Sequence, residues 1–141
     1  MSIALGALAI ILLLMERQQI TKREFEAWVA EAWEQLPERF RERVANVAVV
    51  VEEWPGPEIL RRKGIRNPAG VLGFYYGVPL SRRGRGYNLK LPDKIYLYRQ
   101  PILLHARRRE AVPALIGRVL RHEIAHYFGM DDEHLKRIGA Y

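Results

Sequence analysis

The chain has no cysteine. That excludes disulfides and thiolate metal sites, so any metal must be held by nitrogen and oxygen ligands. It does not identify a compartment, because cytosolic and secreted proteins can both lack cysteine. Aspartate is also scarce. There are three, Asp93, Asp131 and Asp132, and two of them are adjacent. No internal repeat and no low-complexity linker divides the 141 residues, which suffice for one compact domain and not for two.

Lysine is outnumbered by arginine, 5 to 18, and the formal net charge is +7. The basic groups are spread along the chain: Arg61-Arg62-Lys63, Arg82-Arg83-Arg85 and Arg107-Arg108-Arg109. No nucleic-acid motif accompanies them, so they read as a solvated surface and no specific nucleic-acid partner is expected.

Charge is absent from residues 1–15, an apolar run that is short against the roughly 20 residues of a membrane span. A signal peptide would place basic residues before such a run and a small-residue cleavage site after it, and neither is present. The run could be a weak membrane anchor, an element packed on the domain, or an upstream extension with Met15 as the true start. The third reading is preferred, because domain signals begin only after Met15. Residues 1–15 are therefore set apart from a single domain, 16–141. A cytoplasmic location is expected, with membrane association through residues 1–15 as the alternative.

Thr21-Lys-Arg-Glu24 is a capping box. It predicts a helix with Phe25, Trp28, Val29, Ala32, Trp33 and Leu36 on one face, broken at Pro37. Val44 to Val51, rich in β-branched residues, reads as a buried strand ended by Trp54-Pro-Gly-Pro57. Glu58 to Lys63 reads as a short helical turn. Val71 to Tyr76 and Lys94 to Arg99 read as further strands, with Gly73 marking a bulge or a close backbone approach. Leu80 to Pro92 reads as an exposed loop. Helical spacing returns from Arg108 to Phe128, with Pro113 in the first turn and Gly129 as terminator, and a last short helix spans Asp131 to Ile138. Together these elements make an α+β arrangement.

The second long helix carries His122-Glu123-Ile-Ala-His126. Histidines four apart share a helix face, so both imidazoles can reach one ion. Glu123 lies about 100° round the helix, where it can address a water on that ion. A zinc there would acidify the water and polarise a carbonyl while the glutamate takes the proton. Gly129 lets the chain turn back, and Asp132, six residues past His126, can complete a three-ligand site with one position open. The histidines and Glu123 fall in the core-facing sector, where unpartnered polar groups cost roughly 1–3 kcal/mol each. A closed structural site would need a fourth ligand, for which Asp131 or His134 is available. His105 and His134 otherwise read as ordinary surface residues, and Met130 as packing.

The run His122 to Asp132 matches H-E-x-x-H-x-x-G-x-x-D. With Leu72-Gly-Phe-Tyr-Tyr-Gly77, Leu91-Pro-Asp-Lys-Ile95-Tyr-Leu-Tyr98 and Leu36-Pro37, it resembles the bacterial zincin-like metallopeptidases, or minimal zincins, over residues 21–141. The resemblance implies a small mixed sheet flanked by an N-terminal helix and the active-site helix. It implies His122, His126 and Asp132 as zinc ligands and Glu123 as general base. It also implies an edge strand at the cleft, for which Phe74 to Tyr76 is the candidate, and a peptide or unfolded protein as substrate. The alternative is a zinc-stabilised binding or regulatory module that uses its basic surface.

Overall fold

The structure is a computed structural model that describes residues 2–44, 46–79 and 93–137. The first helix, α1 (Ser2–Gln18), carries the apolar run. Leu5, Leu8, Ile10, Ile11, Leu12, Leu14 and Met15 are all exposed, and none joins the core. Among the described residues, no helix is long and apolar enough to cross a membrane.

The packed layers begin with α2 (Lys22–Glu34). Thr21 caps it, its hydroxyl accepting the Glu24 N–H at 3.1 Å. Phe25, Val29, Ala32 and Leu36 are buried and Trp28 and Trp33 half-buried, so the expected apolar face is the one that packs. A short helix not anticipated from the sequence, α3 (Glu38–Arg43), follows Pro37. It buries no residue, and so has no apolar stripe by which to be read.

Three strands follow: β1 (Val47–Glu52), β2 (Gly73–Tyr76) and β3 (Asp93–Tyr98). They form one mixed sheet in the order β1-β3-β2. β3 is central, parallel to β1 and antiparallel to β2. Val47, Val49 and Val51 of β1 lie level with Asp93, Ile95 and Leu97 of β3, and Tyr75 and Gly73 of β2 with Ile95 and Leu97. This face meets the helices, and Ile95 and Leu97 are fully buried. The expected buried strand at 44–51 is thus an edge. Val49, Val50 and Val51 are only half-buried, because among the described residues the sheet continues on one side of β1 alone. The expected loop from Leu80 to Pro92 lies outside the described residues.

Between β1 and β2 the chain forms α4 (Pro57–Lys63), where a helical turn was expected. Gly64, in left-handed backbone (φ 66°), ends it. A second unanticipated helix, α5 (Arg99–Ala106), starts directly after β3 and buries Pro101, Ile102 and Leu103. The long helix α6 (Val112–Tyr127) packs against α2, α5 and the sheet. The chain ends in α7 (Asp132–Arg137).

One polar clip ties these layers. The Arg99 guanidinium donates to both oxygens of Glu53 at 2.8–3.2 Å and to the Ile20 carbonyl at 2.8 Å. It joins the ends of β1 and β3 to the segment before α2. The hydrogen bond and charge of Arg99 hold the Glu53 carboxyl below the ordinary carboxylate range. A depressed folded-state pKa contributes stability that is present above the unfolded value and lost as pH falls through the folded one. Glu53 is nearly half exposed, so solvent screens the pair. Glu53→Gln is expected to cost roughly 0.5–1 kcal/mol near pH 7 in urea unfolding. The difference should close as pH falls through the lowered Glu53 folded-state value.

Candidate metal centre

The site grows out of the end of α6. Leu115, Ile116, Val119, Leu120 and Ile124 are buried along one sector of the helix, while Arg118 and Arg121 face solvent. The periodicity in the sequence had assigned these sectors correctly. Gly129 then stops the helix in left-handed backbone (φ 91°). Its N–H donates to the His126 carbonyl at 2.9 Å, and the Met130 N–H donates to the Ala125 carbonyl at 3.0 Å. These paired bonds are a Schellman cap. Past the cap, Asp131 accepts the His134 N–H at 2.7 Å and so caps α7. Asp131 is thereby occupied, and Asp132 is left to face the histidines.

Three donor atoms converge there. His122 Nε2 and His126 Nε2 lie 3.1 Å apart, and Asp132 Oδ1 is 3.2 Å from each. With Asp132 ionised, the two ring nitrogens carry at most one proton each at these positions, so one of the three contacts has no proton to make it attractive. A cation at the centre would make all three favourable. Bonds of about 2.0–2.1 Å to a tetrahedral ion set ligand atoms about 3.3 Å apart, close to the spacing seen. Among the described residues, no other group of His, Asp and Glu side chains is arranged to hold an ion. His134 and Asp131 do not join it, and His105 is exposed on α5.

Glu123 points from the same helix into the protein and is 3% exposed. Burial pushes its carboxyl above the ordinary range, while Lys63, His126, His122 and a hydrogen bond from the Tyr75 backbone act in the opposite sense. The close approach expected at Gly73 is real, and the strand pairing runs through it without a bulge. A Cβ on Gly73 would stand 2.7 Å from Val119 Cγ1, 3.0 Å from the Tyr96 carbonyl oxygen and 3.2 Å from Glu123 Cγ. The bare backbone of β2 is thus what α6 and the Glu123 stem rest on.

His126, Asp132 and Glu123 open on a cleft of about 330 Å³ bordered by Phe74, Tyr75, Met130 and Lys63. Met130 is 37% exposed and lines this cleft, which corrects its reading as packing. Two further polar residues of the neighbourhood had escaped notice. Asp93 is buried and accepts the Tyr75 hydroxyl at 2.5 Å. Its rarity, as the one aspartate away from the motif, was the available signal. Lys63 closes a short helix, and nothing in its local sequence distinguishes it.

A family model described as zincin-like metallopeptidase matches residues 44–140, more than half of the chain. The chain belongs to that family. A comparison with curated proteins finds no match. The zincin-like match begins just before β1 and includes the whole His122 to Asp132 motif. It leaves α2 outside, although α2 packs on α6 and the resemblance read from the sequence began at residue 21. The α+β fold of the zincin-like family, a small mixed sheet with flanking helices, is the fold observed.

Gly73→Ala places a methyl where backbone and Val119 already stand, so α6 must shift from β2. A loss of roughly 1–3 kcal/mol in denaturant unfolding is expected. Gly70→Ala, whose Cβ meets a single side-chain atom at 3.5 Å, should cost less. Equal effects would remove the close approach as the explanation.

Proposed function

We propose that the protein is a zinc-dependent peptidase in which His122, His126 and Asp132 hold the ion and Glu123 is the general base. The observation that carries this reading is the triangle of two imidazole nitrogens and one carboxylate oxygen, with sides of 3.1–3.2 Å, beside a buried glutamate in one cleft. Nitrogen and oxygen donors in this number suit zinc with a position left open. When bound, the ion would supply Lewis acidity toward a water and a carbonyl.

The chain's own part is to position and to move a proton. The Gly73 approach and the Tyr75 backbone hold the Glu123 carboxylate at the cleft wall. Glu123 accepts the proton of the water that adds to the peptide carbonyl. It returns that proton to the leaving amine as the C–N bond breaks. Among the described residues β2 is an edge strand, so an extended peptide can add along Phe74–Tyr76 and bring its backbone past Glu123. A cleft this open suits short or unfolded peptides. The exposed apolar side chains on every side of α1 further support association of residues 1–15 with a lipid surface. Flotation with liposomes, full-length chain against a chain starting at Met15, tests that association.

Protein purified without chelator is expected to carry about one zinc per chain, lost in His122→Ala. No bound metal and no affinity for added zinc would sink the reading. Glu123→Gln should retain the zinc and lose hydrolysis of an unfolded protein substrate by roughly a hundredfold or more. Equal turnover by wild type and Glu123→Gln would assign the activity to a contaminant.

A further inference from the structure

We propose that Lys63 forms a carboxylate-binding subsite at the cleft, selecting peptides that carry an acidic side chain or a free C-terminus next to the cleaved bond. This rests on the peptidase reading above and names its substrate class. Lys63 is the last residue of α4 and lines the same cleft as Glu123, His126 and Asp132. It is half-buried.

The surrounding charges are already committed. Arg62, the other cation of the lining, pairs with Glu58 at 2.9 Å and lies 4.9 Å from the centre of the Tyr76 ring. Asp131 caps α7, and Asp132 faces the two histidines. Among the described residues, no carboxylate lies within 4.0 Å of the Lys63 ammonium. Glu123, His126 and Asp132 line the same cleft as Lys63. Lys63 therefore adds a positive charge to the lining of the cleft that holds the reacting groups.

Carboxylate is the ligand that fits. A lysine ammonium is a compact point charge with three donors, and it pairs with a single oxygen without needing a planar fork. A peptide laid along β2 advances about 3.3 Å per residue and turns alternate side chains to the same face. Only one position near the cleaved bond can then reach Lys63. An acidic side chain and a chain end present the same group there.

The test reads binding and needs no turnover. Zinc-loaded Glu123→Gln protein is titrated with alanine-rich hexapeptides that differ in one internal Glu or Gln and in a free or amidated C-terminus. Peptides with a carboxylate at the favoured position should bind at least about tenfold more tightly, a difference of about 1.4 kcal/mol. The Glu/Gln arm and the acid/amide arm tell which source is used. In the Lys63→Met, Glu123→Gln double variant the preference should vanish, and Lys63→Glu should turn it toward peptides with Lys in place of Glu. Zinc content and circular dichroism confirm that these variants fold.

A loss shared equally by acidic and neutral peptides overturns the proposal, as does the absence of any carboxylate preference or of measurable binding. A Lys63-dependent preference in a protein without hydrolytic activity would refute the peptidase reading while the subsite stands.

Discussion

The approach of α6 to the bare backbone of β2 at Gly73 is the contact on which the cleft depends. Any side chain there would meet Val119 and the stem of Glu123 at once. With glycine in place, the helix settles on the strand and carries Glu123 to the Tyr75 backbone. Burying a carboxylate is costly, and the backbone hydrogen bond and Lys63 offset only part of that cost. Packing and chemistry are therefore the same event. The helix cannot lift from the sheet without exposing the glutamate.

The parts of this arrangement that were legible in the sequence are those with a period. α2 and α6 bury one face each, so Phe25, Val29 and Ala32 and then Leu115, Val119 and Leu120 announced both helices. The motif His122 to Asp132 was legible for a related reason, since its donors lie on one short stretch whose turn is marked by Gly129. α3 went unread because it buries nothing, and α5 because Pro101, Ile102 and Leu103 form a continuous run without helical spacing. The half-burial of β1 depends on the strand order, which no local pattern carries. Lys63, brought to Glu123 by the placement of α4, was equally out of reach.

The sheet order has a functional corollary. Because β3 is central, both neighbours are edges, and the two edges differ in what lies beside them. β1 borders a groove of about 540 Å³ lined by Val29, Trp33, Val49 and Val51 together with Glu26 and Glu34, and by none of the convergent donors. β2 borders the cleft that holds Glu123 and the convergent donors. Extended peptide backbone can be offered pairing at either edge. Among the described residues, β2 is the strand that places such pairing beside the convergent donors.

The Schellman cap at Gly129 bears on how the donor set assembles. It confines His122, His126 and Asp132 to an eleven-residue span, with Asp132 Oδ1 brought back to 3.2 Å from both rings. Closing so short a loop costs little chain entropy compared with recruiting a ligand from a distant segment. One helical turn and its cap are enough to bring the three donors together. An ion bound by both folded and unfolded states stabilises the fold by less than its affinity alone implies. The α2–α6–sheet core thus carries the fold, and the donor set is a local construction at one helix end.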